Sequence, residues 1–113
     1  MNKHKNGYVT PEQVATHGVM TPLLQAMYLE FSELSKKKPQ EVLSANKVKV
    51  VNRLLTPILG MLENEPMRPF LDVLDEDDLP QNSDVILMLS QVRAAMHSFR
   101  ERHCDSRGWH VES

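Results

Sequence analysis

Cysteine is nearly absent from this chain: Cys104 stands alone, so no disulfide can form within it. A lone thiol suits a reducing compartment, and a cytoplasmic location is the expectation. Aromatic residues make up only 5%, with one tryptophan, two tyrosines and three phenylalanines. Leu, Val and Met carry the apolar content instead, which suits helix-on-helix packing better than a β-sandwich. The glycines lie scattered at positions 7, 18, 60 and 108, so no glycine-rich phosphate loop can be drawn. No apolar run approaches the roughly 20 residues that span a bilayer. Met1 to Gly7 is polar with no apolar stretch behind it, and neither a signal peptide nor a membrane partner is expected. An excess of one charge sign is missing too. The formal charge is −2, which argues against general nucleic-acid binding.

What is present describes one ordinary domain: 113 residues, 41% apolar and 25% charged. The punctuation is distinctive. Thr-Pro occurs three times, at Thr10-Pro11, Thr21-Pro22 and Thr56-Pro57. Threonine can cap a helix N-terminus, and proline at the first helical position gives up only an N–H that would be unpaired anyway. The first two pairs therefore predict helix starts: a short helix from Thr10 to about Thr16, stopped near Gly18, and a longer one from Pro22 to about Lys37. On the latter, Leu23, Leu24, Met27, Tyr28, Phe31 and Leu34 share a face.

A second principal helix is expected from near Gln40, with apolar residues from Leu43 to Leu62 around about half its circumference. Pro57 falls inside it. Val51, Leu55, Ile58, Leu59 and Leu62 keep their phase across the proline, which predicts a kink rather than a break. A short helix from Pro69 to about Leu74 follows, then the acidic loop Asp75 to Pro80. The last helix runs from the Asn82/Ser83 cap to about His103, with Val85, Leu89, Val92, Met96 and Phe99 inward. The fold class is all-α: a small bundle of three principal helices plus one or two short ones, with a kinked central helix. Residues 1–9 read as a flexible lead-in, 10–103 as the bundle and 104–113 as a tail. Short connections favour an up-and-down arrangement.

Two charged segments stand out as interaction candidates. Lys36, Lys37 and Lys38 close the first long helix, and Asp75, Glu76, Asp77 and Asp78 crowd the acidic loop. Segregated charges of this kind can specify a partner. Lys47 falls within the apolar arc of the second helix. It reads as a stem that snorkels to water, or else as the partner of Glu30 or of the 72–78 segment.

Chemistry has thinner support. Glu30 and Glu33, like Asp72 and Asp75, lie one helical turn apart, a spacing by which a helix can grip Mg²⁺. In this the chain resembles the all-helical nucleoside-triphosphate pyrophosphatases, which hold Mg²⁺ with ExxE and ExxD pairs on facing helices. It departs from them in a DxxD second pair, a longer gap and a Glu33 set off the apolar face. The resemblance implies a Mg²⁺-dependent hydrolase of nucleotides or phosphate esters, and stands as an alternative. Nucleic-acid binding through Lys47, Lys49 and Arg53 or the Arg93–Arg107 region is a second one. His97, His103, Cys104 and His110 lack the spacing of a zinc site. Arg93, His97 and Arg100 read as polar residues flanking the core stripe. The leading expectation is a non-enzymatic protein-interaction module, a homodimer or a subunit of an assembly, with no cofactor.

Overall fold

The computed structural model describes residues 8–112. Three α-helices, α1 (Pro11–Lys37), α2 (Ala45–Met61) and α3 (Asn82–His103), make a small all-α bundle. A 3-10 turn at Arg68–Phe70 and a minute hairpin, β1 (Cys104–Asp105) with β2 (Gly108–Trp109), complete the fold.

The first expected helix pair is a single helix. Thr10 caps it with a reciprocal box: Gln13 N donates to Thr10 Oγ1 at 3.1 Å, and Thr10 N to Gln13 Oε1 at 2.9 Å. Neither Gly18 nor Pro22 stops α1. Proline at 22 deprives the Gly18 carbonyl of its donor, but Gly18 is exposed and open to water. Glycine costs a helix only about 1 kcal/mol, which packing along α2 and α3 outweighs. Pro57 likewise lies inside α2 without ending it, and its orphaned partner, Arg53, is also exposed.

The two internal prolines share a local device. Thr21 Oγ1 donates to the His17 carbonyl at 2.6 Å, and Thr56 Oγ1 to the Asn52 carbonyl at 2.8 Å. In each case the threonine bonds back one turn, beside the gap that its proline opens. The acceptors, His17 and Asn52, are both buried polar residues, and each ties its helix to another element. The pattern is polar-x-x-x-Thr-Pro, with the freed carbonyl on an exposed residue and the polar residue inside.

Helix α2 begins at Ala45, later than expected, because Ser44 is the residue whose side chain accepts from Lys47 N at 3.1 Å. Residues 39–43 instead cross the start of α3. Val42 bridges Gln81, Leu43 N donates to Pro80 O, and Asn82 Nδ2 donates to Lys38 O. The other end of α2 meets the start of α1, where Gln13 Nε2 donates to Met61 O. Helix α1 is therefore antiparallel to both neighbours, and α2 and α3 run parallel. A long return connection, not an up-and-down loop, makes this possible. It spans residues 62–81.

That connection corrects the expected short helix. Only Arg68–Phe70 turns helically; Leu71 is extended and buried, and Phe70 is 81% exposed. The extended run is held by Asn52, whose side chain satisfies both backbone groups of buried Leu74. Glu65 pins the start of the connection to the end of α3. Its carboxylate lies 2.8 Å from His103 Nε2 and 3.1 Å from Arg102 Nε.

The core gathers on α2 and α3, with Val48, Leu55, Ile58, Leu62, Val85, Leu89, Val92 and Phe99 fully enclosed. Leu23, on the apolar face read for the first long helix, and Phe70, on the expected short helix, are exposed. Residues 104–112, expected as a tail, fold back on the bundle. Gly108 takes φ +108° to turn the hairpin, a conformation that glycine adopts without strain. His110 Nε2 and Arg107 N both reach the Asp105 carboxylate at 2.8 Å and hold its pKa down to about 2. Trp109 packs on His17 and Phe99, and Val111 bridges in parallel to buried Val9. Of the expected lead-in, Tyr8 and Val9 belong to the ordered fold, and the rest lies outside the described residues.

Candidate functional site

The apolar surface that the bundle leaves open lies between α1 and α2. Helix α1 carries apolar residues on more than one face, because Val19, Leu23 and Leu29 alternate with Leu24 and Phe31. Packing buries Leu24 and Phe31 and leaves Leu23 half exposed, at 50%. Helix α2 is wider still in its apolar arc, and α1 covers only part of it. Val50 stays 41% exposed.

Two adjoining depressions form along this seam and share Met27 and Val50. One, of about 200 Å³, is floored by Phe31, Leu34 and Val51 and flanked by Glu30 and Lys47. The other, of about 340 Å³, is lined by Met20, Leu23 and Leu54 with Arg53 at its edge. Methionines at 20 and 27 give the groove adaptable walls. A continuous apolar strip between charged edges is the anatomy of a protein-binding surface.

Lys47 accordingly sits where the apolar arc meets water. It is exposed, and among the described residues it makes no ion pair, with Glu30 facing it across the groove from α1. The Lys36–Lys38 group is also exposed: Lys36 meets Glu33 at 3.5 Å and Lys38 meets Glu41 at 3.9 Å. The acidic loop lies at the same end of the bundle, since Asn82 and Ser83 bond to the Lys38 and Pro39 carbonyls. Among the described residues no ion pair joins the lysines to Asp75, Glu76, Asp77 or Asp78. Asp75 instead shapes its own turn, its Oδ1 accepting from Asp77 N at 2.8 Å and Asp78 N at 3.2 Å. Asp75, Asp78 and Asp84 border an open depression beside exposed Val42 and Val73.

The carboxylates considered for Mg²⁺ stay apart. Glu30 and Glu33 ride on α1, and Asp72 and Asp75 lie on the extended connection, where Asp72 Oδ1 accepts from Val73 N. Among the described residues no three histidine, cysteine or carboxylate side chains gather as a metal ion would require. No described helix is long and apolar enough to cross a membrane.

Sequence reasoning expected the wide apolar stripe of α2 to exceed what a small bundle covers, but it placed Leu23 and Met27 of α1 in the core and so missed the groove's second wall. The available signal was the surplus. Met20, Leu23 and Met27 on α1, with Val50 and Leu54 on α2, repeat at helical spacing on faces that α3 does not reach. Set against protein-family models, curated proteins and solved structures, the chain matches none of them.

Proposed function

We propose that this chain is a protein-interaction module that pairs with a second copy of itself through the α1/α2 groove. The observation that carries this reading is the half-exposed pair Leu23 and Val50 on an apolar seam whose two walls bear opposite charges, Glu30 and Lys47. A two-fold axis across the groove places each copy's Glu30 beside the other's Lys47, so the surface is self-complementary. At 1.5 Å per residue the 27-residue α1 is about 40 Å long, enough to support an interface of ordinary size.

Analytical ultracentrifugation across the micromolar range tests it. The expected result is a concentration-dependent dimer that Val50→Glu converts to monomer with helical content unchanged. A wild-type chain that stays monomeric throughout overturns the reading.

A further inference from the structure

A second groove, between α1 and α3, has the opposite character. It holds about 200 Å³, and Thr21 and Gln25 from α1 face Arg93, His97 and Arg100 from α3. Its floor is apolar, formed by buried Leu24 and Met96, with buried His17 beside them. Among the described residues no carboxylate lines it. Arg93, His97 and Arg100 fall four and three residues apart, so they lie along one stripe of α3 that spans about 10 Å.

The two arginines are placed unlike most others in the chain. Arg68, Arg102 and Arg107 each lie against a carboxylate, on Glu63, Glu65 and Asp105. Arg93 and Arg100 form no ion pair among the described residues. Each guanidinium rests on an aromatic face instead: Arg93 Cζ lies 4.1 Å from the Tyr28 ring centre, and Arg100 Cζ 5.6 Å from that of Trp109. Stacking orients the guanidinium and leaves its N–H edge open, the arrangement that suits bidentate capture of an oxyanion. The nearest acid on α3, Glu101, meets only His97, at 3.8 Å on the exposed side.

From this geometry we infer that the α1/α3 groove binds the phosphoryl group of a small phosphate monoester, with Arg93 and Arg100 holding the oxyanion. Gln25 supplies a polar contact from the facing wall, the Thr21 hydroxyl being given to the His17 carbonyl. The apolar floor receives the organic part of the ester, and the cavity volume limits that part to a small group. A nucleic-acid chain fits less well, because the overall charge is −2 and the groove is short.

Trp109 is the sole tryptophan and touches Arg100, so its fluorescence reports on the site. Phenyl phosphate and inorganic phosphate are titrated separately at constant ionic strength, with sodium chloride as the control. Saturable changes are expected from both, with phenyl phosphate binding at least severalfold more tightly. Arg93→Gln, which leaves the Trp109 contact intact, should weaken both at least about tenfold, the loss of one charge-assisted contact. Amide chemical shifts at Thr21 and Gln25 give a readout independent of tryptophan, and a thermal melt checks that the variant folds. Inorganic phosphate binding alone, with no gain from the phenyl group, overturns the ester assignment. A response equal to that of chloride, or unchanged binding in folded Arg93→Gln, overturns the site.

Discussion

Asn52 holds Leu74 by both of its backbone groups: Asn52 Nδ2 donates to Leu74 O at 2.9 Å, and Leu74 N donates to Asn52 Oδ1 at 2.8 Å. The side-chain amide thus acts as one rung of a sheet, offered by a helix to an extended strand-like segment. It is what lets the extended run bury Leu71 and Leu74 without a sheet partner. Replacing Asn52 with leucine leaves a buried donor and a buried acceptor unmet, at about 1–3 kcal/mol each. The expected loss is about 3 kcal/mol, read as a lower urea midpoint, with exchange protection lost at the Leu74 amide before the helices open.

His17 supplies a pH dependence. Burial, with Arg100 nearby, holds its pKa below the ordinary 6.5, against the opposing pull of the Met96 carbonyl. The unfolded chain therefore takes up this proton at higher pH than the folded one does. The contribution is complete above pH 6.5 and is lost as pH falls from there towards the folded value. His17→Gln, which keeps a donor for the carbonyl, should lose less stability than wild type between neutral and mildly acidic pH. Urea titrations of both proteins at two pH values measure the difference.

Pro22 lies on the exposed side of α1, where it packs little and removes one helical hydrogen bond. Pro22→Ala restores an N–H to the Gly18 carbonyl. Helix interiors favour alanine over proline by about 3 kcal/mol, of which the greater freedom of the unfolded chain returns a part. A rise in melting temperature of several degrees is expected, and calorimetry checks it.

The charges on the α1/α2 groove predict a reciprocal pattern. Glu30→Lys and Lys47→Glu should each weaken self-association severalfold, since rim ion pairs contribute up to about 1 kcal/mol apiece. The double exchange should restore it. Sedimentation at low and moderate salt would show the single-variant effect shrinking as salt is added.

Helix identity was readable from periodicity, because the stripes of α2 and α3 are long and match the buried residues from Val51 to Leu62 and from Val85 to Phe99. Gly18-Val-Met-Thr-Pro22 misled for a physical reason. Local breakers act on the isolated segment, and tertiary packing of a 27-residue helix outweighs them. Leu23 and Leu24 were indistinguishable by residue type; only the position of α3 decides which is buried. The 71–74 run could not be read as extended without knowing that Asn52 waits in the middle of α2. The hairpin after His103 depends on contacts with Val9, about a hundred residues away in sequence, which no local pattern encodes. The α1/α3 groove was legible only in part. The Arg93, His97 and Arg100 stripe shows in the sequence, while Tyr28 and Trp109 as their supports do not.

The parallel bridge between Val9 and Val111 makes the fold a nearly closed ring. Val9 N donates to His110 O at 2.9 Å, and Glu112 N donates to Val9 O at 2.8 Å, so the clasp is tied on both sides. Closing a loop of about a hundred residues is among the costlier entropic steps open to a small chain, and here it falls to a few bonds beside Trp109. Helices can form and meet while the chain emerges from the ribosome, but the clasp must wait until residue 111 has been made. In a permuted chain that runs from residue 112 directly into residue 8, the clasp becomes a local contact. The exposed turn at Asp75–Asp78 then offers a natural place to open the ring elsewhere.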